Sequence, residues 1–264
     1  MSSDKQAVLI TGPTSGLGYE FSGIFAEKGY DLVLTSRDAE KLAKMKNDFE
    51  EKYKISVAVI PVDLSERNSA QQLFDECINR KIEVNILINN AAFGLFREHV
   101  ALDPGTVRKM LQLNVITLTE LCLLFGKVMK ERGSGYILNV GSTAAFQPLP
   151  IFASYGASKS YVLNFSEALA KELEDSNVTV TCLSPGLMKT GFFTVAGVGD
   201  EAKGNYAMKA RMSPRRVAEY GVSALFSRRL SVIPGMKNKL RAFVVRLFPR
   251  SLVANISKKF TANP

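Results

Sequence analysis

Short, almost unbroken apolar runs alternate along the chain with longer segments whose apolar residues recur at helical spacing. The short runs are AVLIT (7–11), DLVLTS (31–36), SVAVIPV (56–62), VNILIN (84–89), GYILNV (135–140), VTVTCL (178–183) and LSVIP (230–234). Successive side chains of a strand point to opposite faces, so a nearly continuous apolar run predicts a strand covered on both. The amphipathic segments lie near 17–28, 38–53, 67–80, 104–131, 153–175 and 214–227. This alternation predicts an α/β fold: a Rossmann-like, doubly wound parallel sheet of about seven strands, with helices on both faces and right-handed crossovers. No repeat, low-complexity tract or long polar linker interrupts it, so a single domain is expected, with a C-terminal extension over residues 236–264. Sheets of this kind bind ligands at the carboxyl ends of their strands, and candidate chemistry is sought there.

Composition changes this picture in one place. The 264 residues are 46% hydrophobic and 22% charged, as in an ordinary globular protein. The formal charge of +9 would fit a nucleic-acid binder, but its distribution argues against one. From Tyr220 to Pro264 there are nine basic residues and no acidic one, whereas residues 1–219 carry 25 of each sign. A neutral body therefore carries a basic end. Cys77, Cys122 and Cys182 are far apart and show no metal-ligand spacing, so buried reduced thiols and no metal site are expected. His99, the one histidine, has no cluster to join and is expected at a surface or helix end. The N-terminus MSSDKQAVLITG lacks the pattern of a signal peptide, and no uninterrupted run of about 18 apolar residues is present. A cytoplasmic protein, peripheral to a membrane if the tail docks there, is the expectation.

The first strand runs into TGPTSGLG, with Gly12, Thr14, Ser15, Gly16, Leu17 and Gly18 ahead of an amphipathic helix. A strand, a glycine turn and a helix start make a pyrophosphate site, because the backbone comes close and the helix N-terminus offers unpaired N–H groups. The second strand ends in Ser36 and Arg37 rather than in an acidic residue. A hydroxyl and a guanidinium suit a 2′-phosphate, which favours NADP (NADPH) over NAD, and Asp38 is expected to cap the next helix. In SYGASKSYVLNF, Tyr155 and Lys159 are four residues apart on a predicted helix and so share a face. Ser142 closes the fifth strand, NNAA places Asn89, Asn90 and Ala91 after the fourth, and Asn114 falls in the long helix that follows. SPGLMKT, with Pro185, Gly186 and Thr190, follows the sixth strand.

Taken together, these elements resemble the short-chain dehydrogenase/reductase family of the Y-x-x-x-K type over about residues 6 to 235. Ala92 departs from it, standing where many members have a glycine. The resemblance implies a dinucleotide-binding catalytic domain over 1–235 and a hydride transfer in which Tyr155 is the acid or base. It implies that Lys159 and the positive nicotinamide lower the Tyr155 pKa, that Lys159 binds the nicotinamide ribose, and that Ser142 polarises the substrate oxygen. Asn114 would support a water relay to Lys159. Asp63 and Leu64 would contact the adenine, Asn90 and Ala91 the adjoining ribose region, and Pro185, Gly186 and Thr190 the nicotinamide side. A homodimer or homotetramer is also implied.

Phe146, Leu149, Met188, Phe192 and Phe193 predict an apolar substrate pocket, with a lid near 187–212. A lipophilic ketone, steroid-like or acyl, fits it better than a sugar. The alternative from another class is a non-catalytic NADP-binding sensor or membrane-docked scaffold. In the tail, Met236, Leu240, Phe243, Val244 and Leu247 form a helical stripe, with Lys237, Lys239, Arg241 and Arg246 mostly elsewhere. Residues 236–260 could thus meet an anionic membrane surface, or pack on the protein body or across a dimer.

Overall fold

The computed structural model describes residues 6–188, 191, 192, 196 and 212–262. Seven strands form one parallel sheet in the order β3-β2-β1-β4-β5-β6-β7. They are β1 (Ala7–Thr11), β2 (Asp31–Thr35), β3 (Val57–Val59), β4 (Val84–Asn89), β5 (Gly135–Val140), β6 (Val178–Leu183) and β7 (Ser231–Val232). The order turns back between β1 and β4, and the two chain segments leaving these strands diverge there to open a crevice.

The helices are α1 (Gly16–Glu27), α2 (Ala39–Tyr53), α3 (Ser69–Asn79), α4 (Pro104–Leu111), α5 (Leu118–Arg132), α6 (Ala153–Glu172), α7 (Pro214–Phe226), α8 (Met236–Val244) and α9 (Arg250–Ala262). The alternation within a strand divides the core in two. Val8 and Ile10 of β1 face a cluster with Phe21, Phe25, Leu42 and Val222 from α1, α2 and α7. Ala7 and Leu9 face another with Leu73, Leu121, Phe125 and Val162 from α3, α5 and α6. Both faces of β1 are thus dry, which is why its sequence lacks a polar alternation. The three cysteines are free and buried, and no group of metal-binding side chains occurs among the described residues.

Three elements depart from the expectation, each for a local reason. The third strand is shorter than 56–62: it ends at Val59, ahead of Pro61, although Ile60 and Val62 still donate to Leu34 and Ser36. The last strand is likewise reduced to two residues, ahead of Pro234. The long helix at 104–131 is interrupted by a π-helical turn over Gln112–Thr117. Pro104–Arg132 is long and apolar enough, by length and composition, to cross a membrane, although charged and amide side chains interrupt it. In the fold, Leu118, Leu121, Phe125 and Met129 are packed in the core beside β4 and β5.

Candidate active site

The carboxyl ends of the strands open into one cavity of about 1780 Å³. That is larger than the ~300–1,000 Å³ typical of a drug-sized ligand and has room for an extended cofactor with a substrate beyond it. Gly12, Thr14, Ser15, Gly16 and Leu17 line the end nearest β1.

This end is held by backbone. Gly12 has φ +65° and donates its N–H to the Thr35 carbonyl at 3.0 Å. The Asn90 side-chain amide donates to the carbonyls of Thr11 (2.9 Å) and Gly12 (3.0 Å). The Thr11 hydroxyl accepts from the backbone N–H groups of Asn90 and Ala91, both at 2.9 Å. Asn90 thereby staples the end of β4 to the glycine turn. Gly18 does not line the cavity; a Cβ there would run into the Gly12 carbonyl oxygen and the Asn90 amide. The α1 first turn has no acidic side chain, and Ser15 makes no side-chain cap. An anion such as a pyrophosphate fits this cradle, because helix N–H groups and the positive dipole end point into it.

Ser36 and Arg37 line the adjoining wall, with Arg37 exposed. Asp38 caps α2 by accepting from the Lys41 N–H at 3.0 Å, as its position predicted. Lys41 and Lys109 also face the cavity, and sequence reasoning missed both. Lys41 lies one turn beyond the Asp38 cap, a spacing that could have flagged it. Asp63 and Leu64 line the same wall. Burial alone would raise the Asp63 pKa, but hydrogen bonds from Ser65 and the charge of Arg37 outweigh it and hold the carboxyl below its ordinary value.

Farther along, β5 delivers Ser142, whose hydroxyl accepts from the Ala144 N–H at 3.1 Å and starts a short 3-10 turn. The early turns of α6 deliver Tyr155 and Lys159. Lys159 is 3% exposed and donates to the Val140 carbonyl at 2.8 Å, with its Nζ 5.9 Å from the Tyr155 ring centre. Ser142, Tyr155 and Lys159 all face the cavity, with Pro185 and Gly186 beside them. The four-residue spacing does place phenol and ammonium together.

Their electrostatics differ from the expectation. Burial pushes the Tyr155 phenol up to about 12, and only a hydrogen bond with Ser142 pulls it back. Burial also lowers Lys159 to about 8. Burial in the protein alone therefore favours a neutral phenol, whereas the expected lowering draws on Lys159 together with the positive nicotinamide. At both groups the dominant cause is burial, which disfavours the charged form of each.

Asn114 is placed differently as well. It sits in the π-helical turn, 1% exposed, and does not line the cavity. Its amide accepts from the Phe93 N–H (3.2 Å) and donates to the Phe93 carbonyl (2.9 Å) and the Ser158 hydroxyl (3.3 Å). Those bonds tie the β4 exit to α6, and none of them reaches Lys159.

Phe146, Leu149, Met188 and Phe192 line the apolar end. Thr190, Phe193 and most of the 187–212 segment lie outside the described residues. The sequence did not single out Phe152 and Phe96: the Phe152 ring lies 5.5 Å from Tyr155 and 4.9 Å from Phe96, and Phe192 lies 5.3 Å from Tyr155. It also did not place the tail here. Asn238 packs so close to Gly186 that a Cβ on that glycine would lie 2.6 Å from its amide nitrogen. Leu240, Val244 and Phe248 complete the far wall. His99 ends up on the surface in a 3-10 turn, its Nδ1 2.9 Å from the Ser154 hydroxyl.

A family profile described as short chain dehydrogenase matches residues 6–198. Sulfoacetaldehyde reductase 2 of Chromohalobacter salexigens is 32% identical over 74% of this chain and 77% of its own length. Human 17-beta-hydroxysteroid dehydrogenase type 3 is 30% identical over 72% of this chain and 61% of its own length. The chain thus spans less than two thirds of that steroid relative. Among solved structures, a short-chain dehydrogenase from Sphingobium yanoikuyae in complex with NADPH superposes with TM-score 0.83 at 26% identity, covering 94% of each chain.

Proposed function

The chain belongs to the short chain dehydrogenase family, and from that premise we propose that it is an NADP-dependent oxidoreductase interconverting a carbonyl and an alcohol on a lipophilic substrate. The observation that carries this reading is the convergence of Ser142, Tyr155 and Lys159 on a cavity with a glycine cradle at one end and aromatic walls at the other. A sensor or scaffold would need the cradle but not the three polar groups placed beyond it.

The nicotinamide cofactor supplies the hydride, and the protein supplies position and protons. Tyr155, held as a neutral phenol by burial, is ready to give its proton to a carbonyl oxygen that gains negative charge. Ser142 orients that oxygen. The Lys159 ammonium, in its charged form below about pH 8, stabilises the tyrosinate left behind and reaches the nicotinamide ribose. In the oxidising direction Tyr155 must first lose its proton against the cost of burial.

At the other end, Gly12, Thr14, Ser15 and Gly16 take the pyrophosphate, and Asp63 and Leu64 flank the adenine. Ser36 and Arg37, joined by Lys41, take the 2′-phosphate. Binding of NADPH by the Sphingobium structure supports the cofactor, and the hydroxysteroid dehydrogenase among the relatives supports a bulky lipophilic carbonyl.

Fluorescence titration with NADPH and NADH side by side tests the cofactor, followed by turnover on steroid-like and long acyl ketones. NADPH is expected to bind about tenfold or more tightly, a difference of ~1.4 kcal/mol. Equal binding removes the Arg37 reading; binding of neither removes the enzyme.

A further inference from the structure

The tail presents two faces with opposite uses. On α8, half-buried Asn238 and Val245 flank buried Ala242 on the side against the body. Residues 236, 240, 243 and 247 recur at helical spacing on the other side, where the turn continues through the Leu247 N–H bonded to the Val244 carbonyl. Met236 is 77% exposed, Leu240 61%, Phe243 59% and Leu247 66%. After Pro249, Val253 and Ser257 of α9 are buried while Leu252 and Ile256 are exposed. An exposed apolar stripe of this kind marks an interaction site.

Its charge identifies the partner. Lys237 and Arg241 flank the stripe on one side and Lys239 and Arg246 on the other, by helical position, and all four are exposed. No acidic residue occurs anywhere from Tyr220 to the end. A second copy meeting this face about a two-fold axis would set lysine and arginine against lysine and arginine. An anionic bilayer surface instead pairs the basic flanks with its headgroups and the apolar stripe with its acyl boundary.

We propose that α8 and α9 seat the protein on an anionic membrane surface, and that the substrate enters the cavity from the bilayer at this contact. Met236, Leu240, Phe248 and Ile256 are exposed yet also line the cavity, so its mouth opens within the docking face. The docking stands on the surface alone; the entry route rests on the reductase reading.

The test uses the full chain, vesicles of phosphatidylcholine alone or with about one third phosphatidylserine, and the double variant Phe243→Glu, Leu247→Glu. Neither residue lines the cavity. Co-sedimentation is expected on the anionic vesicles, at least about tenfold tighter than on the neutral ones, weakened by salt and lost in the variant. Unchanged mass of the variant in lipid-free solution excludes a subunit contact. Equal affinity for both vesicles, undiminished binding by the variant, or dissociation of an oligomer in the variant would each overturn the docking. With docking established, a ketone dissolved in the vesicles should be turned over several-fold more slowly by the variant, while a short water-soluble ketone is turned over equally. Equal rates on both overturn the entry route. Failure to reduce any carbonyl while vesicle binding persists removes the reductase reading and leaves the docking.

Discussion

At the β1 end of the cavity the walls are backbone: Gly12 bonded to Thr35, and Asn90 stapling Thr11 and Gly12. At the far end they are side chains from distant parts of the chain: Phe146 after β5, Phe192 after β6, and Leu240, Val244 and Phe248 of the tail. The two ends face different demands. A pyrophosphate asks for N–H groups in fixed positions, which few backbone paths provide. An apolar substrate asks only for volume and dryness, which many side-chain sets can supply. Ser142, Tyr155 and Lys159 stand where the two constructions meet.

The largest effect should come from that junction. Tyr155→Phe removes the proton donor and keeps the ring among Phe152 and Phe192. Turnover is expected to fall by about 10²–10⁴-fold while NADPH titration stays nearly unchanged; an active phenylalanine variant would detach the phenol from the chemistry. Next comes the rigid end. Gly18→Ala sets a methyl group against the Gly12 carbonyl and the Asn90 amide. It should cost about 2 kcal/mol in urea unfolding and weaken cofactor binding, whereas Leu149→Ala at the adaptable end should leave cofactor binding intact and alter ketone preference. A cradle that tolerates the alanine would mean that its tightness is not needed.

A smaller shift is expected at the 2′-phosphate wall. Arg37→Ala removes one charge-assisted contact and should reduce the preference for NADPH over NADH by about tenfold, or ~1.4 kcal/mol. Residual preference carried by Lys41 is removed in the double variant Arg37→Ala, Lys41→Ala. An unchanged ratio in the double variant would place the discrimination elsewhere.

The same contrast explains what the sequence revealed. Strands β1, β4, β5 and β6 were legible to the residue because both faces are buried, and burial writes itself as an unbroken apolar run. The glycine turn and the Tyr155–Lys159 pair were legible because both depend on local spacing. The π-helical turn at Gln112–Thr117 was not, since its register change is set by Asn114 reaching across to Phe93 and Ser158. The α8 side chains are brought to the cavity by chain folding over a long separation, and nothing near them in sequence marks them as lining. Phe152, by contrast, stands only three residues before Tyr155 at the start of α6. The stripe at Met236, Leu240, Phe243 and Leu247 was visible, but only the packing of Asn238 on Gly186 shows that it points outward.

The smallest effect concerns Lys159, and it separates burial from function. Its ammonium titrates near 8 in the fold against an ordinary 10.5. Below the lower value both folded and unfolded chains hold the proton. Between the two values the unfolded chain binds more protons than the folded one, so stability rises with pH across that window. Tyr155 acts in the opposite sense, because its pKa is raised from 10.0 to about 12, but it contributes only above the lower of these values. In cofactor-free protein, wild type should therefore gain about 1 kcal/mol relative to Lys159→Met between about pH 7 and about pH 9, measured by urea unfolding. A flat difference would mean that burial leaves the Lys159 pKa at its ordinary value.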